Sequence, residues 1–221
     1  MKRICFAAAA MLATPFIGHA GPATEAAGST TKTGVVIDLE YWGTVTEATS
    51  RPRSVGDAVH GMVRIDTRVA PPDFSFYFPE WAGEYDVNQE CPRNCLPERT
   101  EPSGFVTSPG IKDLGGPVYD RVRVIDSDLD PLGEWDRDEY SVRDYEIRPY
   151  AEGAGWQQLE IGVASPLDFI MGDGLVQSFD LRPAESGGGA LGQFVSFLDG
   201  VASGFSFAIE RIRATPHVCR P

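Results

Sequence analysis

Histidine is scarce in this chain. There are three among 221 residues, and His19 falls inside an N-terminal leader, so only His60 and His217 remain to act as a general base. Catalysis by a serine or cysteine nucleophile needs such a base held beside it. His60 sits mid-strand opposite an apolar face, His217 sits in a Pro-flanked tail, and no Gly-x-Ser-x-Gly elbow occurs, which argues against a His-dependent hydrolase. Positive charge is also short: 19 Lys plus Arg stand against 32 Asp plus Glu, a net charge of −13, and the lysines are only Lys2, Lys32 and Lys112. A surface of that sign repels phosphate backbones and anionic lipid heads, so neither nucleic acid nor a membrane surface is an expected partner. Long apolar runs are missing as well. The one present, Cys5 to Ile17, is too short and too Ala-rich to cross a hydrocarbon core of about 30 Å, so no membrane insertion of the mature chain is expected. Cysteine is limited to Cys5 in the leader and Cys91, Cys95 and Cys219 beyond it. Three thiols with only His60 and His217 beside them lack paired Cys-x2-Cys spacing, which argues against a zinc site.

What is present begins with that leader. Lys2 and Arg3, the apolar run and the small residues of Gly18-His19-Ala20 have the layout of a signal peptide over residues 1–20, which implies a periplasmic or extracellular protein. In an oxidising compartment Cys91 and Cys95 are expected to be oxidised. They pair either with each other across the short Pro-Arg-Asn loop or, one of them, with Cys219, and spacing leaves that choice open. Residues 21–33 are rich in Ala, Gly, Thr and Ser and read as a flexible lead-in. From Gly34 onward Val35, Ile37, Leu39 and Tyr41 alternate with Val36, Asp38, Glu40 and Trp42, the two-residue period of a half-buried strand. A second strand over Ala58 to Asp66 puts Val59, Gly61, Val63 and Ile65 on one face and pairs antiparallel with the first. Further strands are expected at Phe74–Phe78, Gly104–Thr107, Tyr119–Ile125, Tyr140–Arg148, Gln157–Val163, Leu175–Leu181 and Gly204–Arg213. The stretch from Glu84 to Asp120 is a turn-rich, disulfide-pinned excursion that contains the short strand Gly104–Thr107. Phe194 to Leu198 fits both a helical period and a buried strand, and the β-rich surroundings favour the strand. The pattern predicts an all-β protein, an antiparallel β-sandwich or jelly roll in a single domain over residues 34–216, followed by a C-terminal tail over 217–221.

Three features carry candidate chemistry. The first is the run Asp126-Ser-Asp128-Leu-Asp130, whose alternating carboxylates resemble the oxygen-rich sets that calcium prefers. Pro131 and Arg137 occupy the positions where an EF-hand has its Gly and its bidentate Glu, so the simpler reading is a solvated acidic loop, with calcium as the candidate ligand of Asp126, Asp128 and Asp130 and no other cofactor expected. The same abundance of acids allows a carboxylate pair for polysaccharide hydrolysis, which needs two carboxyl groups about 5–9.5 Å apart. The third is aromatic. With Phe74, Phe76 and Phe78 on a core-facing strand side, Tyr77, Trp81 and Tyr85 remain as a candidate platform for stacking on sugar rings.

Tyr41-Trp-Gly43-Thr-Val-Thr46, Val55-Gly-Asp57 and Val59-His-Gly61-Met-Val-Arg-Ile-Asp66 look like the opening hairpin of the exported β-sandwich proteins of the PEP-CTERM group of Gram-negative bacteria. Phe179-Asp-Leu181, Gly192 to Asp199 and Gly204 to Ile212 continue that resemblance. Where that group carries Pro-Glu-Pro, an apolar stretch and a basic end, this chain has Ala214-Thr-Pro-His-Val-Cys-Arg-Pro221, so sorting-enzyme processing is not implied. The resemblance implies fold and export and supplies no catalytic residue. Together these readings anticipate an exported, non-enzymatic protein acting at the envelope or outside the cell in adhesion, matrix or ligand binding, its partner an extracellular polysaccharide or an envelope protein. A carbohydrate-binding module or a carboxylate-dependent polysaccharide hydrolase is the alternative.

Overall fold

The computed structural model describes residues 34–49, 53–70, 82–86, 105–108, 110–116, 118–130, 136–148, 153–172 and 174–219. The leader, the lead-in, the expected strand Phe74–Phe78 and the pair Cys91 and Cys95 lie outside the described residues.

Strand β1 (Gly34–Ala48) obeys the alternation read from sequence: Ile37, Leu39, Tyr41 and Val45 are buried, while Asp38, Glu40, Trp42 and Thr44 face outward. Strand β2 (Ala58–Asp66) pairs with it antiparallel from Val36 opposite Asp66 to Thr44 opposite Ala58, and buries Val59, Val63 and Ile65. The two-residue period thus sets both strands and the faces they present. Next come β3 (Ala82–Asp86), which the sequence reading did not foresee, and the short β4 (Val106–Thr107). They are followed by β5 (Arg121–Ile125), β6 (Asp138–Ile147), β7 (Gly155–Ser165) and β8 (Phe179–Leu181). The last two, β9 (Gly189–Leu198) and β10 (Val201–Cys219), form a hairpin. Its turn is Asp199-Gly200, with φ of 53° and 78°, the left-handed pair that a two-residue hairpin turn requires. That turn and the contact of Phe194 with Phe205, centroids 5.5 Å apart, resolve the Phe194–Leu198 ambiguity in favour of a strand. Strand β10 also runs past the expected end at Arg213. Residues 217–219 are therefore strand rather than tail, with His217 opposite Val36 and its Nε2 3.3 Å from Asp38 Oδ2.

The strands are antiparallel and follow the order β3-β5-β6-β7-β9-β10-β1-β2-β4, with β8 added to β10 at Ile212–Ala214, beyond the reach of β9. The longest ladder joins β1 to β10, from Gly34 opposite Cys219 to Ala48 opposite Phe205, and so holds the two ends of the described chain side by side in the middle of the sheet. A sandwich or jelly roll implies two facing sheets. Here the ladder runs unbroken as one sheet curled into half a barrel, so an antiparallel all-β fold is established in this form.

The concave side of the curl is the core. Fully buried Ile37, Leu39, Val63, Ile65, Phe105, Val122, Tyr140, Ile161, Phe207 and Ile212 line it, each aliphatic or Phe side chain contributing roughly 1.5–3 kcal/mol by its removal from water. At Gly192 a Cβ would stand 2.0 Å from the Phe207 ring, so the bare backbone there is what lets that ring lie across β9.

Candidate functional site

The outward positions of neighbouring strands fall into rows, because antiparallel register places directly paired residues on the same face. One row runs Arg121 on β5, Arg143 on β6, Glu160 on β7, Gln193 on β9, Ser206 on β10 and Glu47 on β1, each the direct partner of the next. Beside it runs a row with little side-chain bulk, Ser141 and Gly162, and then Ala164 opposite Gly189. Small side chains flanked by long ones leave a depression. A groove of about 800 Å³ lies here, floored by Ser141, Gly162, Ala164 and Gly189 and walled by Arg121, Arg123, Glu139 and Glu160 on one side and by Leu191 and Gln193 on the other.

The wall side chains hold one another in place. Arg121 lies 3.4 Å from Glu160 Oε1, whose Oε2 accepts a hydrogen bond of 2.9 Å from the Gln158 amide. Arg123 lies 3.9 Å from Glu139 Oε1, which also accepts from the Ser141 hydroxyl at 3.1 Å. Fixing these rotamers before a ligand arrives lowers the entropic cost of binding. On the other side of the charged row the same convex face carries aromatic rings. Tyr119 and Tyr145 have centroids 5.8 Å apart, and Tyr145 meets Trp156 edge-on at 5.7 Å. Burial among these rings raises the Tyr145 hydroxyl above the usual tyrosine range, with the neighbouring Tyr119 adding to the effect and Arg143 opposing it.

A second concentration of polar groups fastens the loop carrying β4 to β6. Asp120, fully buried, accepts from the Val106 amide at 3.1 Å. Burial pushes the Asp144 carboxyl up to about 6 against hydrogen bonds from Ser108. Glu146 is pushed up to about 8 by burial and by the charges of Asp144, Asp120 and Asp113, against one bond from the Leu114 backbone. The Lys112 amide donates to Gln157 Oε1 at 3.1 Å. These acids act as acceptors that close a seam, and they do not line the groove.

The acids singled out from sequence divide in the structure. Asp126 is buried and caps the 3₁₀ turn Ser127–Leu129, one oxygen accepting from the Asp128 amide at 3.1 Å and the other from the Gly172 amide at 2.6 Å. Asp128 stands near Asp168 and is the main cause of that carboxyl being held above its ordinary range. The Asp130 amide closes the turn onto Ser127 O. Among the described residues no three His, Cys, Asp or Glu side chains are arranged to hold a metal ion. Of the expected aromatic platform, Tyr77 and Trp81 lie outside the described residues, and Tyr85 sits on β3 opposite Val122, packed against the core. His60 stacks on Trp42 with centroids 5.0 Å apart and lies 3.0 Å from Glu40.

The groove residues were within reach of the sequence in one respect only. Alternation along β6 and β7 puts Glu139, Ser141, Arg143 and Tyr145 on one face, and Trp156, Gln158, Glu160, Gly162 and Ala164 on one face. That β5 and β9 flank them is decided by strand order. Comparison with known protein families, with curated proteins and with solved structures finds no match to this chain.

Proposed function

We propose that the chain is an exported, non-enzymatic protein of the β-sandwich kind that acts at the cell envelope or outside the cell by binding a ligand on its convex face, in adhesion or matrix association. The observation that carries this reading is the groove across β5, β6, β7 and β9, with its pre-set Arg–Glu walls, small-residue floor and adjoining rings. Its carboxylates are spent on Arg, Ser and Gln partners, which suits holding hydroxyl groups rather than shuttling protons. The leader and the resemblance to exported β-sandwich proteins support the location. Sedimentation of the purified exported protein with insoluble extracellular polysaccharide tests the reading. The wild-type protein is expected in the pellet and Gly162→Trp in the supernatant, the new ring filling the floor where only Ser141 Cβ lies within contact range, at 3.5 Å. Equal partition of the two proteins overturns the proposal.

A carboxylate-dependent polysaccharide hydrolase is the second reading. It is favoured by Glu146, whose carboxyl is pushed up to about 8 by burial and then by Asp144, Asp120 and Asp113, the direction a general acid requires. Release of reducing ends by the wild-type protein and its loss in Glu146→Gln would replace binding with catalysis.

A further inference from the structure

The groove does not end at β9. A second depression, of about 320 Å³, lies over β9, β10 and the end of β1, and the two share Gln193 and Ser206 on their rims. The shared residues belong to the row Arg121, Arg143, Glu160, Gln193, Ser206 and Glu47, which crosses six strands at right angles to their direction. Hydrogen-bonded strands are spaced about 4.8 Å apart, so the row offers one polar side chain at each such step over roughly 24 Å.

That repeat discriminates between extended polymers. An extended peptide returns a side chain to the same face every ~6.7 Å, out of step with the row. A linear glycan of pyranose rings advances one ring in about one strand spacing, and each ring brings hydroxyls that both donate and accept. Charge narrows the class further. Two of the guanidinium groups are balanced within the wall, Arg121 by Glu160 and Arg123 by Glu139, and Glu47 closes the far end. Along the row itself Arg121 and Arg143 at β5 and β6 are matched by Glu160 and Glu47 at β7 and β1, so its charges cancel and a polyanion would meet carboxylates at β7 and β1, whereas uncharged hydroxyls meet both donors and acceptors.

We infer that the convex face is a cross-strand track for a linear, uncharged polysaccharide, about one sugar ring per strand from β5 to β1. This rests on the ligand-binding reading above and adds the ligand class and its direction. Titration calorimetry of the purified exported protein with linear glucose, mannose and xylose oligosaccharides, from disaccharide to octasaccharide, tests it. For the backbone that binds, affinity is expected to rise by about tenfold or more up to roughly five or six rings and then to level off, as successive rings engage a fixed row. Glu47→Ala is expected to weaken the hexasaccharide several-fold and to leave the disaccharide unchanged. Gln193→Ala, at the junction, weakens every length above the trisaccharide. Thermal melting checks that both variants fold, and both positions are solvent-facing. Affinity independent of length overturns the track and leaves a local binding site standing. Tighter binding of oligogalacturonate, or of an extended peptide, than of any neutral glycan overturns the ligand class. Failure of the sedimentation experiment removes the reading beneath both.

Discussion

Among the many carboxylates of this acidic chain, Asp138 is the one whose environment stands apart. It is almost fully buried, one oxygen accepting from the Ser127 amide at 2.9 Å and its hydroxyl at 2.7 Å, the other from the Phe169 and Ile170 amides at 2.8 and 2.9 Å. Four donors converging on two oxygens tie the turn before β6 to the segment after β7. The sequence shows Asp138 only as one member of an acidic run, since no local pattern reveals that residues 31 positions away will aim their amides at it. Asp138→Ala should cost about 3 kcal/mol or more, because buried donors lose their acceptor. Asp138→Asn should be nearly as damaging, as its NH2 would face a pair of N–H donors. Urea denaturation gives both numbers. A change below about 1 kcal/mol in either would show that water replaces the carboxylate.

At the scale of elements, β2 was legible to the residue and β1 as far as Thr46, two residues short of its end at Ala48, because a strand half buried on one face writes its period into the sequence. Val63 is 1% exposed, while its neighbour Arg64 points outward to a two-pronged pair with Asp38, at 2.8 and 3.2 Å. Val63→Asp should therefore abolish or severely weaken folding by burying an unpaired charge. Arg64→Asp should cost about 1 kcal/mol, through loss of an exposed pair and repulsion from Asp38. Equal damage in thermal melts would mean the strand is covered on both faces. The turn signal of the β9–β10 hairpin, Asp199-Gly200, stands in the sequence too, although the strand reading over Phe194–Leu198 rests on its β-rich surroundings and does not pair it with Gly204–Arg213. Strand β3 was not legible. Its five residues, Ala-Gly-Glu-Tyr-Asp, carry no clear alternation, and they are strand because β5 offers them an edge.

At the scale of the whole molecule, the seam between the β4 loop and β6 contains two carboxyl groups, Asp144 and Glu146, that folding prefers protonated. Glu146 is raised from 4.5 to about 8, first by burial and then by Asp144, Asp120 and Asp113, while Asp144 is itself raised to about 6. An acid whose folded value lies above its unfolded value imposes no cost while it is protonated in both states. The cost appears as pH climbs above the unfolded value and is complete above the folded one. The melting temperature should accordingly fall as pH is raised from about 5 to about 8.5, by an amount equivalent to a few kcal/mol. Glu146→Gln, which keeps an oxygen for the Leu114 amide and carries no charge, should flatten that profile and raise stability at the alkaline end. An unchanged slope in the variant would place the titration elsewhere.

The sequence by itself determined the class of fold, most strand positions and the face each strand buries, because these follow from a two-residue period and from turn residues that act over a few positions. Tertiary structure alone decided strand order, and with it everything that depends on neighbours across the sheet. It set β1 beside β10, aligned Arg121, Arg143, Glu160, Gln193, Ser206 and Glu47 into one row, and gathered Asp120, Asp144 and Glu146 at one seam. Alternation tells a residue which side it faces, but the residue beside it there is chosen by hydrogen-bond pairing between segments up to 185 positions apart in the chain, a choice set by how the whole sheet curls around its core.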